Sequence, residues 1–331
     1  MLRFLSPIGR IQRASSESAG RRVLLIVLLT AAMALRLVAG FWWQARLPEE
    51  TKFGFGDSES YWVLAQTIVR AEAYQFGEDE ACVFRTPGYP LLLAGMFYVL
   101  GDDPPVMWAR ALSALLGTLA VAVVAWLAWE LFNPSSAVVA AAIAAFYPGA
   151  IASSALVLSE VLFCPLMLLQ LVLWTKAWNC EHRKGRFVLA LCGGVVAGVA
   201  TLARPSWLLF TPLAVLVGVT LGRNRKQHAI VGTLMLAGLA VAMTPWWIRN
   251  VTVAGRFVPT TLQVGASLYD GLNPAATGAQ FPSLTEAASA GSLLAGTRVL
   301  PGVAGIWAGR CARMLVMQCL AEPPWTHAVV G

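Results

Sequence analysis

Arg85-Thr86-Pro87-Gly88-Tyr89-Pro90-Leu91-Leu92-Leu93-Ala94-Gly95-Met96-Phe97-Tyr98-Val99-Leu100 is the stretch on which the fold turns. If residues 87–100 crossed a bilayer, every later loop would change side. At about 14 residues this apolar run is short, because a spanning helix needs about 20. Lys and Arg collect in cytoplasmic loops. Here they precede the first apolar segment (Arg3, Arg10, Arg13, Arg21, Arg22) and fill two later loops (Arg183, Lys184, Arg186 and Arg223, Arg225, Lys226). A crossing at 87–100 would put those two loops opposite the N-terminus. A helix lying along the outer surface puts all three basic segments inside. The second reading is adopted.

Working outward, the composition agrees. The chain of 331 residues is 58% hydrophobic and 12% charged, with 13 Trp, which excludes an ordinary soluble domain. Apolar segments of spanning or nearly spanning length cover 23–43, 106–132, 136–150, 161–178, 187–203, 207–221 and 229–247. Alternating segments of about ten residues, the mark of a membrane barrel, are absent. The expectation is an all-α integral membrane bundle of about 7–8 spans, with an external first loop (44–103) carrying juxtamembrane helices. The first span has no small-residue cleavage pattern and reads as an uncleaved helix with a cytoplasmic N-terminus. The net charge of +7 is topological and does not read as a nucleic-acid footprint. Six scattered cysteines, three unclustered histidines and the lack of a Walker or dinucleotide fingerprint disfavour zinc, redox and nucleotide chemistry.

In this topology Asp57, Glu59, Arg85, Glu160, Arg204 and Arg249 share the external side. Gly56-Asp57-Ser58-Glu59-Ser60-Tyr61 opens an apolar-striped helix, and Glu160 stands where the chain turns between two spans. Charged groups at span ends are functional candidates by default. Plainer roles stand beside these. Asp57 fits an N-cap for a helix starting at Ser58. Glu160 fits a carboxylate favoured by the helix dipole, and Glu59 a solvated residue. Arg204 and Arg85 fit snorkelling to headgroups, and Arg249, beside Trp246-Trp247, an interfacial anchor. Arg36 lies about 20 Å into its helix, placed either to snorkel outward or to brace the loop. Gly193-Gly194 and Gly198 read as close helix packing.

The order of these features resembles the bacterial protein O-mannosyltransferase and aminoarabinose transferase-like glycosyltransferases of the family 39 group. The landmarks are Arg36; Asp57 with Tyr61 and Leu64-Ala65; Arg85-Thr86-Pro87-Gly88-Tyr89-Pro90; Arg110; Pro148; and Ser159-Glu160-Val161-Leu162-Phe163. They continue with Leu202-Ala203-Arg204-Pro205, Pro245-Trp246-Trp247-Ile248-Arg249-Asn250 and Asn273-Pro274-Ala275-Ala276-Thr277-Gly278. The resemblance implies a GT-C fold over 23–278, after a basic cytoplasmic N-terminus (1–22). It also implies a polyprenyl-phosphate sugar donor, a protein, lipid or glycan acceptor, and transfer at the external face of the inner membrane.

The resemblance assigns Asp57 as general base of an inverting displacement, since an attacking hydroxyl must lose its proton to a carboxylate within reach. Glu160 would orient the acceptor or, with Asp57, hold Mg²⁺ or Mn²⁺ through oxygen ligands. Arg204, then Arg85, then Arg249 would stabilise the departing phosphate, because a guanidinium matches phosphate oxygens. Tyr61 and Tyr89 would line the sugar pocket, and Glu59 is carried as a further binding candidate. Residues 279–331 depart from the pattern: a Gly/Ala/Ser-rich stretch precedes one poor span (299–320), so the bundle reads as C-terminally short. A non-catalytic truncated relative and a transporter are the alternatives. A transporter would show inverted repeats and charges near the midplane; no repeat is visible.

Overall fold

A computed structural model describes residues 7–48, 51–54, 56–76 and 83–263. The segment 279–331, its expected last span and the closing 273–278 motif lie outside the described residues. Among the described residues ten α-helices follow one another: α1 (Pro7–Gln44), α2 (Gly56–Val69), α3 (Gly88–Leu100), α4 (Val106–Leu131), α5 (Pro134–Phe146), α6 (Pro148–Ala155), α7 (Glu160–Asn179), α8 (Arg183–Ala203), α9 (Phe210–Leu221) and α10 (Arg225–Ala254). A short 3₁₀ turn, Pro205–Leu209, leads into α9. No strand occurs among the described residues.

Among the described residues five helices are long and apolar enough to cross a membrane: α1 over Ala19–Gln44, α4, α7, α8 and α10. The pair α5 and α6, bent by 53°, is apolar enough for one broken span or a re-entrant loop. The turn and α9 together form a shorter apolar segment, Pro205–Leu221. The chain is an all-α multi-pass membrane protein.

The expected straight span over 136–150 is broken, for a local reason. Pro148 cannot donate to the helix ladder, and the residue before a proline is driven out of the helical region. Tyr147 accordingly sits at φ −67°, ψ 115°. The same effect ends α8, where Arg204, before Pro205, is extended at φ −142°, ψ 107°. α5 itself starts cleanly. The Asn133 side chain accepts from the backbone N–H groups of Ser135 (3.0 Å) and Ser136 (2.9 Å), and Pro134 fills the first turn.

The chain divides into two compact units, Met1–Tyr74 with Thr86–Trp246, and Gln75–Arg85 with Trp247–Gly331. In the first, α2 and α3 form a short layer at one end of the bundle. Trp62 of α2 packs on Phe97 of α3 (4.5 Å between rings), and Tyr61 meets Tyr89 edge to face (5.2 Å). α3, at 13 residues, is about 20 Å long against a hydrocarbon core of about 30 Å. It exposes an apolar face of Leu91, Tyr98 and Val99. Its first turn touches α8 closely: a Cβ on Gly88 would lie 2.5 Å from the backbone of Leu202. The remaining glycine reading also holds, since a Cβ on Gly194 would collide with the Met235 carbonyl of α10.

At the opposite end of this unit, Lys176 of α7 pairs with Glu130 of α4 (2.9 Å). There too the Gln227 side chain donates to the Trp178 carbonyl (2.7 Å). In the second unit, the Asn250 amide donates to the carbonyls of Val258 (2.9 Å) and Thr260 (3.4 Å), and the Leu262 N–H to Val83 O (3.1 Å).

Candidate functional site

Three of the residues singled out from sequence, Tyr61, Glu160 and Arg204, are joined through Ser159 where the 156–159 turn meets α7. The α2 helix begins at Gly56, so Asp57 is in its first turn and is not the cap of a helix starting at Ser58. A carboxylate there is favoured by the free N–H groups and the helix dipole. Asp57 is half-buried and Glu59 exposed, so the solvated reading of Glu59 holds. Asp57 and Tyr61 are four residues apart and therefore share one face of α2. The Tyr61 hydroxyl donates to Ser159 Oγ (3.1 Å), and the Ser159 hydroxyl lies 3.4 Å from Glu160 Oε2. Glu160 Oε1 forms an ion pair with Arg204, at side-chain exposures of 38% and 41%.

Each partner reaches this point for a legible reason. Glu160 is the first residue of α7, placed by the turn after α6. Arg204 is released from α8 by Pro205 and projects at the same end. The break behind Arg204 is fixed by a buried polar node in α7. Gln170 accepts from the Trp207 indole N–H (2.6 Å) and donates to Thr211 Oγ (2.8 Å). Arg204 is therefore paired with Glu160 instead of snorkelling to headgroups.

Tyr89 lines the same place from α3, in contact with Tyr61. Burial pushes its hydroxyl well above the usual phenol range, against a weaker opposing influence from Ser113, so it stays protonated. Ser113 is adjacent, but no hydrogen bond of firm geometry links the two. Arg85 and Arg249 belong to the second unit. Arg85 is buried, donates to Gln263 Oε1 (3.2 Å) and stacks over Phe84 (5.1 Å to the ring centre), so it does not snorkel either. Arg249 is half-buried near the end of α10.

Glu160 has both oxygens engaged, by Arg204 and by Ser159. Among the described residues no three His, Cys, Asp or Glu side chains come together to hold a metal ion. Asp57 and Glu160 thus supply two carboxylates at most, and a cation there would need oxygens from a substrate.

Three further residues contribute through partners that the sequence does not show. Ser159, between Tyr61 and Glu160, carries no charge to draw attention. Arg36 is 1% exposed and donates from Nη1 to the Ala32 (3.0 Å) and Ala145 (3.2 Å) carbonyls and from Nη2 to Ala144 (3.2 Å). It braces the α5–α6 break. Arg110 is equally buried in the first turns of α4. Both stand out in the sequence as lone arginines within apolar runs.

The sequence profile of the dolichyl-phosphate-mannose-protein mannosyltransferase family matches residues 85–248, just under half of the chain. No curated protein sequence matches it significantly. Among solved structures, it is similar to the apo crystal structure of the Archaeoglobus fulgidus oligosaccharyltransferase, with a TM-score of 0.60 at 14% identity. That similarity covers 94% of this chain and 40% of the archaeal one. The GT-C-like bundle expected from the residue order is therefore the fold observed.

Proposed function

We propose that this protein is a membrane glycosyltransferase that moves a sugar from a polyprenyl-phosphate donor to an acceptor hydroxyl, outside the inner membrane. The observation that carries the reading is the Tyr61–Ser159–Glu160–Arg204 network. It joins the helix bearing Asp57 to the only guanidinium the sequence ranks first for a phosphate. The matching mannosyltransferase profile and the oligosaccharyltransferase-like fold support the same chemistry.

In the proposed reaction the acceptor oxygen attacks the anomeric carbon from the face opposite the phosphate. A new carbon–oxygen bond forms there as the bond to the phosphate oxygen breaks, with inversion. Asp57 takes the acceptor proton, and polyprenyl phosphate leaves with the bonding electron pair. Arg204 meets the negative charge that develops on the phosphate, where preorganised positive charge stabilises a transition state most. Glu160 holds the guanidinium until the donor arrives, and a phosphate can replace a half-exposed carboxylate as its partner. Tyr61 and Tyr89 form an aromatic wall for the sugar. Asp57 and Glu160 would hold Mg²⁺ or Mn²⁺ only once Glu160 has released Arg204 to the donor, and the ion would then supply further charge neutralisation. Chelation should then abolish transfer, and full activity in excess chelator would remove the metal from the scheme.

The test is transfer from radiolabelled polyprenyl-phosphate sugars in membranes containing the chain. Asp57→Asn should insert normally and lose about 10²–10⁴-fold in rate, the usual contribution of a general base. Normal turnover by Asp57→Asn would remove Asp57 from that role. Failure of every donor with correctly inserted wild-type protein would overturn the reading as a whole.

A further inference from the structure

We propose that Arg110 and Ser113 of α4 are positioning residues that set the Glu160–Arg204 pair by gripping the turn that carries Glu160; this rests on the function proposed above. Arg110 is 1% exposed and its guanidinium is divided between two elements. Nε donates to the Gln44 side chain at the end of α1 (3.0 Å), and Nη1 donates to the carbonyl of Ala155, the last residue of α6. One turn further along α4, the Ser113 hydroxyl donates to the Leu156 carbonyl (3.4 Å). The same face continues at Gly117, where a Cβ would lie 2.5 Å from Ser154 Oγ of α6 and 2.9 Å from Arg36 Nε, so a larger residue would displace one of those side chains.

Residues 110, 113 and 117 fall on one side of the helix. Arg110 and Ser113 take the carbonyls left free where α6 ends, which would otherwise be orphaned in an apolar bundle. The gripped carbonyls, Ala155 and Leu156, open the segment that ends at Ser159 and Glu160. Val157 and Leu158 of that segment also pack in one buried cluster with Val106 and Ala109 of α4, so the two hydrogen bonds fix the register of a turn that apolar packing already seats. On its far flank Tyr61 holds Ser159 and Arg204 holds Glu160. The turn is thus fixed on one side by a buried cation and on the other by the reactive pair. A guanidinium can bridge Gln44 and Ala155 at once because its donors diverge in a rigid plane; an ammonium at the same position cannot.

The experiment pairs hydrogen exchange with kinetics on the full chain in lipid nanodiscs, using Arg110→Lys and the milder Ser113→Ala. Arg110→Lys should speed amide exchange about tenfold over residues 155–162, the scale expected for losing a charge-assisted hydrogen bond, while α7 and α8 interiors stay protected. It should also raise the donor KM about tenfold with a smaller change in kcat, the signature expected if Arg204 is misplaced. Combined with Arg204→Ala it should add nothing, since both act through one pair. Ser113→Ala should move the same quantities in the same direction by less.

A purely structural role would lower the folded fraction, reducing apparent kcat with KM unchanged, and would be additive with Arg204→Ala. Either result overturns the proposal, as does unchanged exchange over 155–162 in both variants. If wild-type protein transfers no sugar, the proposed function fails, whereas the exchange measurement still decides whether α4 holds the turn.

Discussion

Two breaks in this bundle share a cause and differ in what became of them. At Tyr147-Pro148 and at Arg204-Pro205 a proline ends a helix and sets carbonyls free. The first break lies among packed helices, and its carbonyls are taken by Arg36, 1% exposed. The second lies at the end of the bundle and carries its own arginine, 41% exposed and held by Glu160. A guanidinium buried and held by fixed backbone carbonyls cannot be offered to a ligand without opening the fold. One held by a half-exposed carboxylate can change partners. Burial and partner type, not the presence of arginine beside a broken helix, separate holding from reacting.

The sharpest way to break that comparison is to remove Arg36. Arg36→Met keeps the bulk and deletes the donors, leaving the Ala144 and Ala145 carbonyls without their partner. A loss of roughly 2–3 kcal/mol is expected, the cost of buried groups left unsatisfied. Thermal unfolding in detergent would show it as a lower midpoint, while transfer per folded molecule is unchanged. A stable Arg36→Met protein with impaired donor binding would move Arg36 into the reacting class.

A smaller effect is expected at the packing behind the second break. Gly88 lets the first turn of α3 sit against Leu202, two residues before Arg204, at a separation that admits no Cβ. Gly88→Ala should cost about 1–3 kcal/mol through overpacking and should raise donor KM, because α8 shifts where it delivers Arg204. A wild-type midpoint and KM would show that α3 can recede freely. Below that comes Arg204→Ala itself, expected to raise donor KM about tenfold, or ~1.4 kcal/mol, with little loss of midpoint. A stability defect equal to that of Arg36→Met would erase the distinction between the two breaks.

How much of this was legible follows from what sequence patterns report. The long apolar runs marked α1, α4, α7, α8 and α10, because length and hydropathy are local properties, whereas the runs at 136–150 and 207–221 prove to be a bent pair and a short helix. The basic loops kept residues 87–100 off the list of spans, and α3 is indeed too short. Asp57, Tyr61, Glu160 and Arg204 could each be picked out as polar groups at span ends. The contacts that join Tyr61, Glu160 and Arg204 through Ser159 could not, since Tyr61 and Ser159 are 98 positions apart and meet through tertiary packing. Arg36 and Arg110 were visible as charges in apolar runs, but their partners are backbone carbonyls, which no side-chain pattern encodes. The break at Pro148 could have pointed to Arg36, because freed carbonyls inside a bundle require a donor.

The smallest expected effect probes the comparison from the other side, with a group that holds although it is exposed. Asp103, 54% exposed, fastens the segment after α3 to α2 through Lys52, through the Trp62 indole N–H (2.8 Å) and through Gln66 (3.3 Å). The Lys52 hydrogen bond, aided by Trp62 and the nearby cations, holds its carboxyl below the usual range against an opposing desolvation. A carboxylate lowered in the native state adds stability above its unfolded value near 4 and loses it as pH falls through the native value. Solvent screening keeps such a clamp to about 0.2–1 kcal/mol. The unfolding midpoint of Asp103→Asn should therefore sit slightly below wild type at pH 7 and converge with it toward pH 3. A gap that stays constant with pH would assign the clamp to packing of Trp62 instead of to the charge. A gap as large as that of Arg36→Met would mean that exposure does not set the strength of a holding contact here, and the rule drawn from the two breaks would fall with it.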